Sequence, residues 1–366
     1  MEHLTIGFLG LGLIGGSLAK GIRKSFPQHI IYAYNHRRSS IEPALQDGVL
    51  DDIWDDIDSR FSSCDVIFLC APVEQNARYL EKLAPLINSD VIITDVGSTK
   101  TMIHERAKEL GLQQQFIGGH PMTGSEKFGY AYSTDFLLEN AYYILTPFPE
   151  TDLKKLQLLN ELVRSCGALT VTLNYEEHDY IAAAISHVPH IIAAGLVNLV
   201  HEEDGEKQWM KRLAAGGFKD ITRIASSSPV MWQEICTANK ENILTVLHHY
   251  IEKLQQMEQI LQEKDGDSIY EFFDQARLYR DSIPSSAKGS LPRDYVLYCD
   301  IRDETGAIAR VTTQLSEQHI SIKNITIVHN REFEQGALRV EFYDELSAST
   351  AETVLKSLGH SVSVRH

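Results

Sequence analysis

The sequence predicts an α/β fold built on a doubly wound, mostly parallel sheet, followed by an all-helical domain and a small α+β domain. Three observations support this prediction. Strand-like apolar runs alternate with helical patterns up to about residue 174, helical patterns alone continue to about residue 281, and the last segment has the order β-α-β-β-α-β. The predicted domains are 1–174, 175–281 and 294–366, with a linker at 282–293.

The first domain begins with a β-α-β unit. Residues 4–9 form an apolar run, residues 17–24 have a helical pattern, and residues 29–34 are again strand-like. Later strand-like runs alternate with helix-like segments such as 75–86 and 153–166, which indicates crossover helices on a parallel sheet. These later runs are 66–70, 91–94, 116–117, 141–145 and 169–172.

A glycine motif follows the first strand, with Gly10, Gly12 and Gly15 in the spacing G-x-G-x-x-G. Between a strand and a helix, the first glycine permits a tight turn, the second lets a pyrophosphate approach the backbone, and the third lets helix and strand pack closely. The helix N-terminus then faces the phosphate charge. This context predicts a dinucleotide-binding domain of the Rossmann type, with cofactor contacts from Gly10, Leu11, Gly12, Leu13, Ile14 and Gly15.

The end of the second strand bears on the choice of cofactor. In dinucleotide-binding domains an acidic residue about 20 positions after the glycines holds the ribose, but this chain has Asn35, His36, Arg37 and Arg38 there. Arg37 or Arg38 could meet the 2′-phosphate of NADP, whereas Asn35 could bond the ribose hydroxyl of NAD. We predict NAD, with contacts from Asn35 and Arg37, and NADP stays open.

The helical domain carries an apolar stripe in the segment 241–264, where apolar side chains recur at spacings of four and three. Such a stripe serves either an internal core or a subunit contact, and its apolar character favours a homodimer. The most apolar stretch, 188–200, is shorter than the roughly 20 residues that cross a bilayer, so no membrane span is expected. The stripe consists of Ile243, Leu247, Tyr250, Leu254, Met257 and Leu261.

The last domain follows a segment rich in serine, proline and glycine that breaks the helical pattern. Its β-α-β-β-α-β order is typical of a ferredoxin-like unit. The predicted elements are strand 295–301, helix 307–318, strands 321–329 and 336–343, helix 349–358 and strand 361–365.

Composition and charge narrow the classes of partner. The formal net charge of −16 disfavours binding to nucleic acid or to an anionic membrane, and any anionic substrate requires a local basic pocket. The five cysteines are too widely spaced for a disulfide framework or a zinc knuckle. The first apolar run is preceded by an acid and interrupted by glycines, unlike an export signal, so the expected location is the cytoplasm.

Four further motifs supply polar groups at the ligand-binding edge of the sheet and in the helical domain. They are DVGSTK at 95–100, GGHPMTGSE at 118–126, SHVPH at 186–190 and GGFKDITRI at 216–224. Together with the glycine motif, in this order and spacing, they resemble the prephenate and arogenate dehydrogenase family. The C-terminal domain, with DETG at 303–306 and IKNITI at 322–327, resembles an ACT domain.

The resemblance implies oxidative decarboxylation of prephenate to 4-hydroxyphenylpyruvate, with NAD as oxidant, in tyrosine biosynthesis. Hydride leaves C4 of the ring while the C4 hydroxyl is polarised, and loss of CO2 from C1 makes the ring aromatic. His120 matches the family's catalytic histidine, which draws off the hydroxyl proton. Ser98 matches the serine that hydrogen-bonds this histidine and approaches the nicotinamide. From the residues alone, His120 could equally bond the loop backbone and Ser98 could cap a helix.

The same resemblance implies the residues of the substrate pocket. Arg223 matches the arginine that grips the ring carboxylate, a task that suits a planar guanidinium. His190 and Lys219 match positions near the pyruvyl side chain, and Glu126 and Trp232 match positions that line or close the pocket. No metal is predicted, because His187 and His190 have no carboxylate partner nearby in the sequence and the chemistry needs no Lewis acid; His187 is assigned a structural role.

The ACT resemblance implies regulation. Domains of this kind pair edge to edge and bind an amino acid at the shared interface, here with Gly306 and Asn324 as the expected contacts. Tyrosine is the expected feedback effector, and a purely structural role in dimer formation is the alternative. Two other functions stay open: arogenate dehydrogenase, whose substrate has an ammonium where prephenate has a keto group, and a non-catalytic amino-acid sensor.

Overall fold

A computed structural model describes residues 3–124, 127–283, 295–301, 304–328 and 336–364. The chain separates into two units, Met1–Gly289 and Ser290–His366. Glu126, Asp303 and the predicted linker from residue 284 onward lie outside the described residues.

One eight-stranded sheet organises the first half of the first unit. Its strands are β1 (Thr5–Leu9), β2 (Ile30–Tyr34), β3 (Asp52–Trp54), β4 (Val66–Leu69), β5 (Ile92–Asp95), β6 (Phe116–Pro121), β7 (Tyr142–Pro147) and β8 (Leu169–Thr172). Their order is β3-β2-β1-β4-β5-β6-β7-β8, and all neighbours are parallel except β6 and β7. The order reverses between β1 and β4, which creates the crevice where such sheets bind ligands.

Helices cover both faces of this sheet. They are α1 (Leu13–Ser25), α2 (Glu42–Gln46), α3 (Val73–Leu83), α4 (Thr101–Glu109) and α5 (Leu153–Arg164). Side chains of β1 alternate between two cores: Ile6 and Phe8 pack with α1 and α5, whereas Leu9 packs with α3 and α4. Each of these fully buried side chains contributes roughly 1.5–3 kcal/mol of transfer free energy. The predicted doubly wound, mostly parallel sheet is therefore confirmed.

The rest of the first unit is helical, as predicted. Its helices are α6 (Tyr175–Ala182), α7 (Val188–Glu203), α8 (Trp209–Leu213), α9 (Gly216–Thr222), α10 (Pro229–Ala238), α11 (Lys240–Glu263) and α12 (Gly266–Ser282). The apolar stripe lies on α11, where only its beginning is internal. Ile243 is buried, but Leu254 and Leu261 are 51% and 55% exposed in the single chain.

The length argument against a membrane span is wrong. A π-helical turn, Ala183–His187, joins α6 to α7, so one continuous helix runs from Tyr175 to Glu203 over 29 residues. Among the described residues it is the one helix long and apolar enough to cross a bilayer, and 28% of its apolar window is buried. The sequence pattern missed this because no pattern marks a π turn between two helical segments.

The second unit has the predicted β-α-β-β-α-β order. Its elements are β9 (Tyr295–Ile301), α13 (Ala307–Glu317), β10 (Ile322–Val328), β11 (Gly336–Phe342), α14 (Glu345–Ser357) and β12 (Val362–Val364). The strands form an antiparallel sheet in the order β10-β11-β9-β12. Leu297 and Val340 from the sheet pack with Val311 of α13 and Leu355 of α14, so the unit has a core of its own.

Candidate active site

The glycine motif forms the turn between β1 and α1. Gly10 has a φ of +87°, and a Cβ there would lie 2.9 Å from the carbonyl carbon of Cys70. A Cβ at Gly12 would meet nothing within 4 Å, so this backbone is open to a ligand. The first turn of α1 has neither a capping side chain nor an acidic residue. These features fit a phosphate group at the helix N-terminus.

A cleft of about 670 Å³ opens beside this turn. Of the predicted cofactor contacts, Gly10, Leu11, Gly12 and Asn35 line it. Leu13, Ile14 and Gly15 begin α1 without lining it, and Arg37 is not among the lining residues either. Sequence reasoning missed several polar lining residues: Tyr34, His36, Ser40, Gln75, Arg78, Tyr79, Lys82 and Tyr130.

The end of β2 favours a ribose over a 2′-phosphate. The Asn35 amide donates to the Ser40 hydroxyl at 2.6 Å, and both residues line the cleft. Arg38, one of the two arginines considered for a 2′-phosphate, donates instead to the Asp55 carboxylate at 2.6 Å and to the Ile53 carbonyl at 2.9 Å. The Arg38 guanidinium is thus already paired with the Asp55 carboxylate.

His120 lies on β6, at the carboxyl end of β5 and close to the DVGSTK loop. Its Nδ1 is 2.8 Å from Nε2 of His178 on α6. His178 in turn places its Nδ1 2.8 Å from Oδ1 of Asp179. We call these three residues the His–His–Asp chain. No described residue forms a hydrogen bond with Nε2 of His120, so that nitrogen remains available to a ligand.

Asp179 also anchors the DVGSTK loop. Its two carboxylate oxygens accept the backbone N–H groups of Lys100 and Thr101 at 2.7 and 2.8 Å, which caps the N-terminus of α4. The Asn239 amide donates to the Asp179 carbonyl at 2.7 Å and to Nδ1 of His187 at 3.1 Å. The start of the long helix is therefore fixed to both the sheet edge and α11.

Lys100 connects the DVGSTK loop to strand β6. Its fully buried ammonium pairs with the Asp95 carboxylate and donates to the Gly119 carbonyl at 2.7 Å. The other Asp95 oxygen accepts the Gly119 N–H at 3.1 Å. Because both partners are satisfied inside the protein, Lys100 positions the residue before His120 and is not a surface anion site.

The surroundings keep the His120 imidazole neutral. Burial lowers the pKa of His120 well below its ordinary value; His178, Lys100 and His187 act in the same direction, and Asp179 opposes them. Although burial raises the pKa of Asp179, hydrogen bonds from His178 and Thr101 hold it below its ordinary value. A neutral His120 is therefore linked through His178 to a buried Asp179 carboxylate that stays charged.

The predicted hydrogen bond from Ser98 to His120 is absent among the described residues. Ser98 lies half-buried in the DVGSTK loop, and His178 contacts Nδ1 of His120 instead. Helix α6 brings His178 to this nitrogen. Within the described part of the chain, His178 is thus the residue that contacts Nδ1 of His120.

A second group surrounds Trp232 of α10. Its ring stacks on His190 with centroids 4.0 Å apart and meets His187 edge-on at 6.0 Å. Nδ1 of His190 donates to the Ser186 carbonyl at 2.8 Å. Within the described residues, the buried Trp232 Nε1 has no hydrogen-bond partner and no cluster of three or more His, Cys, Asp or Glu could hold a metal.

The two predicted cations lie on neighbouring segments of the helical region. Lys219 is on α9 and Arg223 begins the short 3-10 turn after it, and both side chains are exposed in the single chain. α9 and this turn pack against α7, which carries His190. Glu126 lies outside the described residues.

The two predicted effector contacts belong to the second unit. Gly306, with a φ of +87°, precedes α13. Asn324 is on β10, where its amide donates to the Glu341 carboxylate at 3.2 Å.

The His178–Asp179 pair is the main functional feature that sequence reasoning missed. A signal was present, because adjacent histidine and aspartate residues follow the acidic first turn of a helix that is mostly apolar after them. Only the fold reveals their partner, since His120 is 58 positions away in the chain.

Two family models match the chain. One is described as the nucleotide-binding domain of prephenate dehydrogenase and matches residues 18–172; the other is described as the dimerization domain of prephenate dehydrogenase and matches residues 174–275.

Curated relatives match along most of the chain. The prephenate dehydrogenase of Bacillus subtilis (strain 168) is 40% identical over 355 residues, or 96% of each chain. That of Lactococcus lactis subsp. cremoris is 35% identical and covers 91% of this chain and 92% of its own. The cyclohexadienyl dehydrogenase of Zymomonas mobilis is 30% identical and covers 76% of this chain and 95% of its own.

Solved structures match about three quarters of this chain. The prephenate dehydrogenase of Aquifex aeolicus in complex with hydroxyphenyl propionate and NAD+ matches with a TM-score of 0.73 at 31% identity, over 78% of this chain and 99% of its own. The arogenate dehydrogenase of Synechocystis matches with a TM-score of 0.70 at 31% identity, over 77% of this chain and all of its own.

Proposed function

The chain belongs to the prephenate dehydrogenase family, and from that membership we infer that it catalyses the oxidative decarboxylation of prephenate to 4-hydroxyphenylpyruvate with reduction of NAD. It is an NAD-dependent oxidoreductase. The observation that carries this function is the 40% identity to the Bacillus subtilis enzyme over 96% of both chains. The identity spans the nucleotide cleft and the histidine site together.

The residues of the cleft fit NAD. The open backbone at Gly12 and the uncapped start of α1 suit the pyrophosphate, and Asn35 with Ser40 suits the ribose hydroxyls. When bound, NAD supplies the hydride acceptor. Arg37 stays a proposed contact, although the cleft as described does not include it.

We propose His120 as the catalytic base. Its Nε2 is the nitrogen without a partner among the described residues, and burial keeps the ring neutral. A neutral imidazole accepts the proton of the C4 hydroxyl as the C4–O bond gains double-bond character. The half-buried Ser98 lies in the adjoining loop, where we propose that it approaches the nicotinamide.

For the substrate carboxylates we propose Arg223 and the group around Trp232. Prephenate carries two carboxylates, and a chain of net charge −16 must meet them with local cations. Arg223 suits the ring carboxylate by its planar fork. His190 and Lys219 are assigned to the pyruvyl side chain, Trp232 to the pocket wall, and Glu126 to its entrance.

We further propose a homodimer in the cytoplasm, formed through the helical region. The exposed half of the apolar stripe supports this, as does the family description of residues 174–275 as a dimerization domain. The apolar surface of the long helix is the kind of surface that a second copy covers. The beginning of this helix is held to the start of α4 through Asp179.

We propose that the second unit is an ACT domain that binds tyrosine as a feedback inhibitor, with Gly306 and Asn324 as contacts. Its ferredoxin-like order and sheet support the assignment. Isothermal titration calorimetry of tyrosine into the full chain and into a chain ending at residue 289 tests it. Binding by the full chain alone is expected. Equal binding by both, with the shorter chain still active, would exclude the second unit as the site.

Arogenate dehydrogenase is the alternative that a specific observation favours, because the Synechocystis arogenate enzyme matches at 31% identity. A steady-state assay with prephenate and with arogenate, each with NAD and with NADP, separates the possibilities. We expect the highest kcat/KM with prephenate and NAD. A preference for arogenate would reassign the substrate, and no turnover of either would favour the non-catalytic amino-acid sensor.

A further inference from the structure

The geometry points to His178 and Asp179 as positioning residues that select the reactive tautomer of His120 and stabilise its protonated form during turnover. This inference rests on the proposed function of His120 as the base. Neither residue is expected to touch the substrate. They act through the His–His–Asp chain, with its two contacts of 2.8 Å.

The hydrogen-bonding capacities of the three residues fix both tautomers. An ionised Asp179 only accepts, so Nδ1 of His178 must carry the proton between them. Nε2 of a neutral His178 is then an acceptor, and Nδ1 of His120 must donate to it. A neutral His120 therefore has its lone pair on Nε2, the nitrogen that faces no described partner. That is the protonation state a base requires.

The charge of Asp179 is itself secured by the fold. Its oxygens accept backbone N–H groups from Lys100 and Thr101 at the start of α4, besides the bond from His178. Three donors to one carboxylate favour its ionised form strongly. Asp179 therefore stays an acceptor, and this sets the proton positions first on His178 and then on His120.

The same chain counters the cost of charging a buried base. When His120 takes the hydroxyl proton, the O–H bond breaks, and its electron pair forms the second C4–O bond as hydride leaves C4. Loss of CO2 from C1 returns an electron pair to the ring, and the phenol oxygen recovers the proton from His120. Between these events the imidazolium is buried, and its Nδ1–H bond to His178 and the nearby Asp179 charge stabilise it.

Ring-specific NMR tests the tautomer directly, without any turnover. In protein labelled with 15N-histidine, the chemical shift of a ring nitrogen reports whether it carries a proton. A His120→Asn variant identifies the His120 signals by their loss. We expect a protonated Nδ1 and an unprotonated Nε2 at neutral pH. A resting His120 with its proton on Nε2 would overturn the inference.

Kinetics of paired substitutions test the catalytic consequence. His178→Gln keeps an acceptor oxygen for Nδ1–H of His120, whereas His178→Leu removes it. We expect kcat for prephenate to fall about 100-fold or more in the Leu variant and about 10-fold in the Gln variant, with KM values for prephenate and NAD nearly unchanged. His104→Gln is the matched control, since His104 is equally buried beside Lys100 but bonds only backbone carbonyls.

The pH profile separates positioning from structural damage. His120 is faced by His178 and Asp179 of the long helix, by Lys100 before α4 and by His187 of the π turn. Asp179→Asn removes the one group that raises the pKa of His120, so the acid limb of kcat/KM should move to lower pH while its plateau falls. An unmoved limb, or wild-type kcat in His178→Leu, would contradict the inference. If the wild-type enzyme does not oxidise prephenate, the proposed function fails, and the NMR result still decides the tautomers.

Discussion

At the scale of single residues, the site separates groups that react from groups that hold them. Nε2 of His120 faces no described residue, whereas both ring nitrogens of His178 and all of the Asp179 carboxylate are engaged. The Lys100 ammonium lies in the same region, but it pairs with Asp95 and donates to the Gly119 carbonyl. Reactivity is thus confined to one nitrogen of one histidine.

The first residue-scale prediction concerns His120. His120→Asn removes the proton acceptor but keeps a polar side chain on β6. We expect kcat for prephenate to fall by roughly 100- to 10,000-fold, because general-base catalysis contributes about that factor. The dissociation constant of NAD, measured by fluorescence titration, should stay within about twofold. Turnover near the wild-type rate would remove His120 from the mechanism.

A second prediction at the residue scale concerns Arg223, which is exposed on the turn after α9. Arg223→Ala should raise KM for prephenate about 10- to 100-fold and change kcat less, since a charge-assisted hydrogen bond contributes roughly 1.5–3 kcal/mol. Arg212→Ala on α8 is the control, because Arg212 packs over Trp209 instead. Initial-rate kinetics decide between them. If both variants have the wild-type KM, another cation binds the carboxylate.

The residues that sequence could identify are those with a local signature. Gly10 and Gly12 were predicted from a strand–turn–helix context, and Asn35 from its place after β2; all three line the cleft. His120 and Ser98 were assigned through the family resemblance. His178 was missed because its only functional partner is distant in sequence, and Arg37 was included because its exclusion depends on how the turn before Ser40 folds.

At the scale of elements, the long helix from Tyr175 to Glu203 holds the site together. Its first turn binds α4 through Asp179, its π turn places His187 against Asn239 of α11, and its second half carries His190. A π turn inserts one extra residue and shifts the helix faces, a feature frequent at functional sites. Here the π turn lies between His178 and His190 and so sets the orientation of the two side chains relative to each other.

An element-scale prediction follows from His187 in the π turn. Burial lowers the pKa of His187 to about 4, against 6.5 for an ordinary histidine. The unfolded chain therefore binds a proton before the folded one does, and stability is lost as pH falls from about 6.5 towards 4, by up to about 3 kcal/mol. Above pH 6.5 this contribution is fully present.

His187→Gln keeps an acceptor for the Asn239 amide but does not titrate. Its Tm, measured by calorimetry, should fall less than the wild-type Tm between pH 7 and pH 5, while His120 and other buried histidines retain part of the dependence. His201→Gln is the matched control, because His201 is exposed near the end of the same helix. The same acid sensitivity in all three proteins would contradict the assignment.

Helices and strands were predictable where the spacing of apolar residues and the length of the segment indicated the same type of element. The strands β1, β4 and β5 are continuous apolar runs and were identified, as were α5 and α11. β3 escaped because it has only three residues, Asp52–Trp54, and begins with an acid. The continuity of α6 and α7 escaped because no sequence pattern marks a π turn between two helical patterns.

At the scale of the whole molecule, the first unit exposes large apolar side chains in the single chain. Its helical region has a small core around Ala183, Val188 and Ile243, and large apolar side chains of α11 remain exposed. An exposed apolar surface of this kind is typical of an interface, which supports the proposed homodimer. The second unit, in contrast, buries its apolar residues in a core of its own.

The whole-molecule prediction concerns this surface. Replacing Leu254 and Leu261 together by glutamate places charges in the proposed interface, and we expect the dimer dissociation constant to rise about 100-fold or more. Sedimentation equilibrium measures it. Leu153→Glu is the control, since Leu153 is 77% exposed at the start of α5. A double variant that remains as dimeric as the control would place the interface elsewhere.

In the proposed function, one active site couples hydride removal to loss of CO2. The most direct measurement is the stoichiometry of a single reaction with limiting prephenate and excess NAD, following NADH by absorbance, CO2 by trapping and 4-hydroxyphenylpyruvate by chromatography. We expect equal amounts of all three products. NADH without CO2, or consumption of prephenate without NADH, would contradict it.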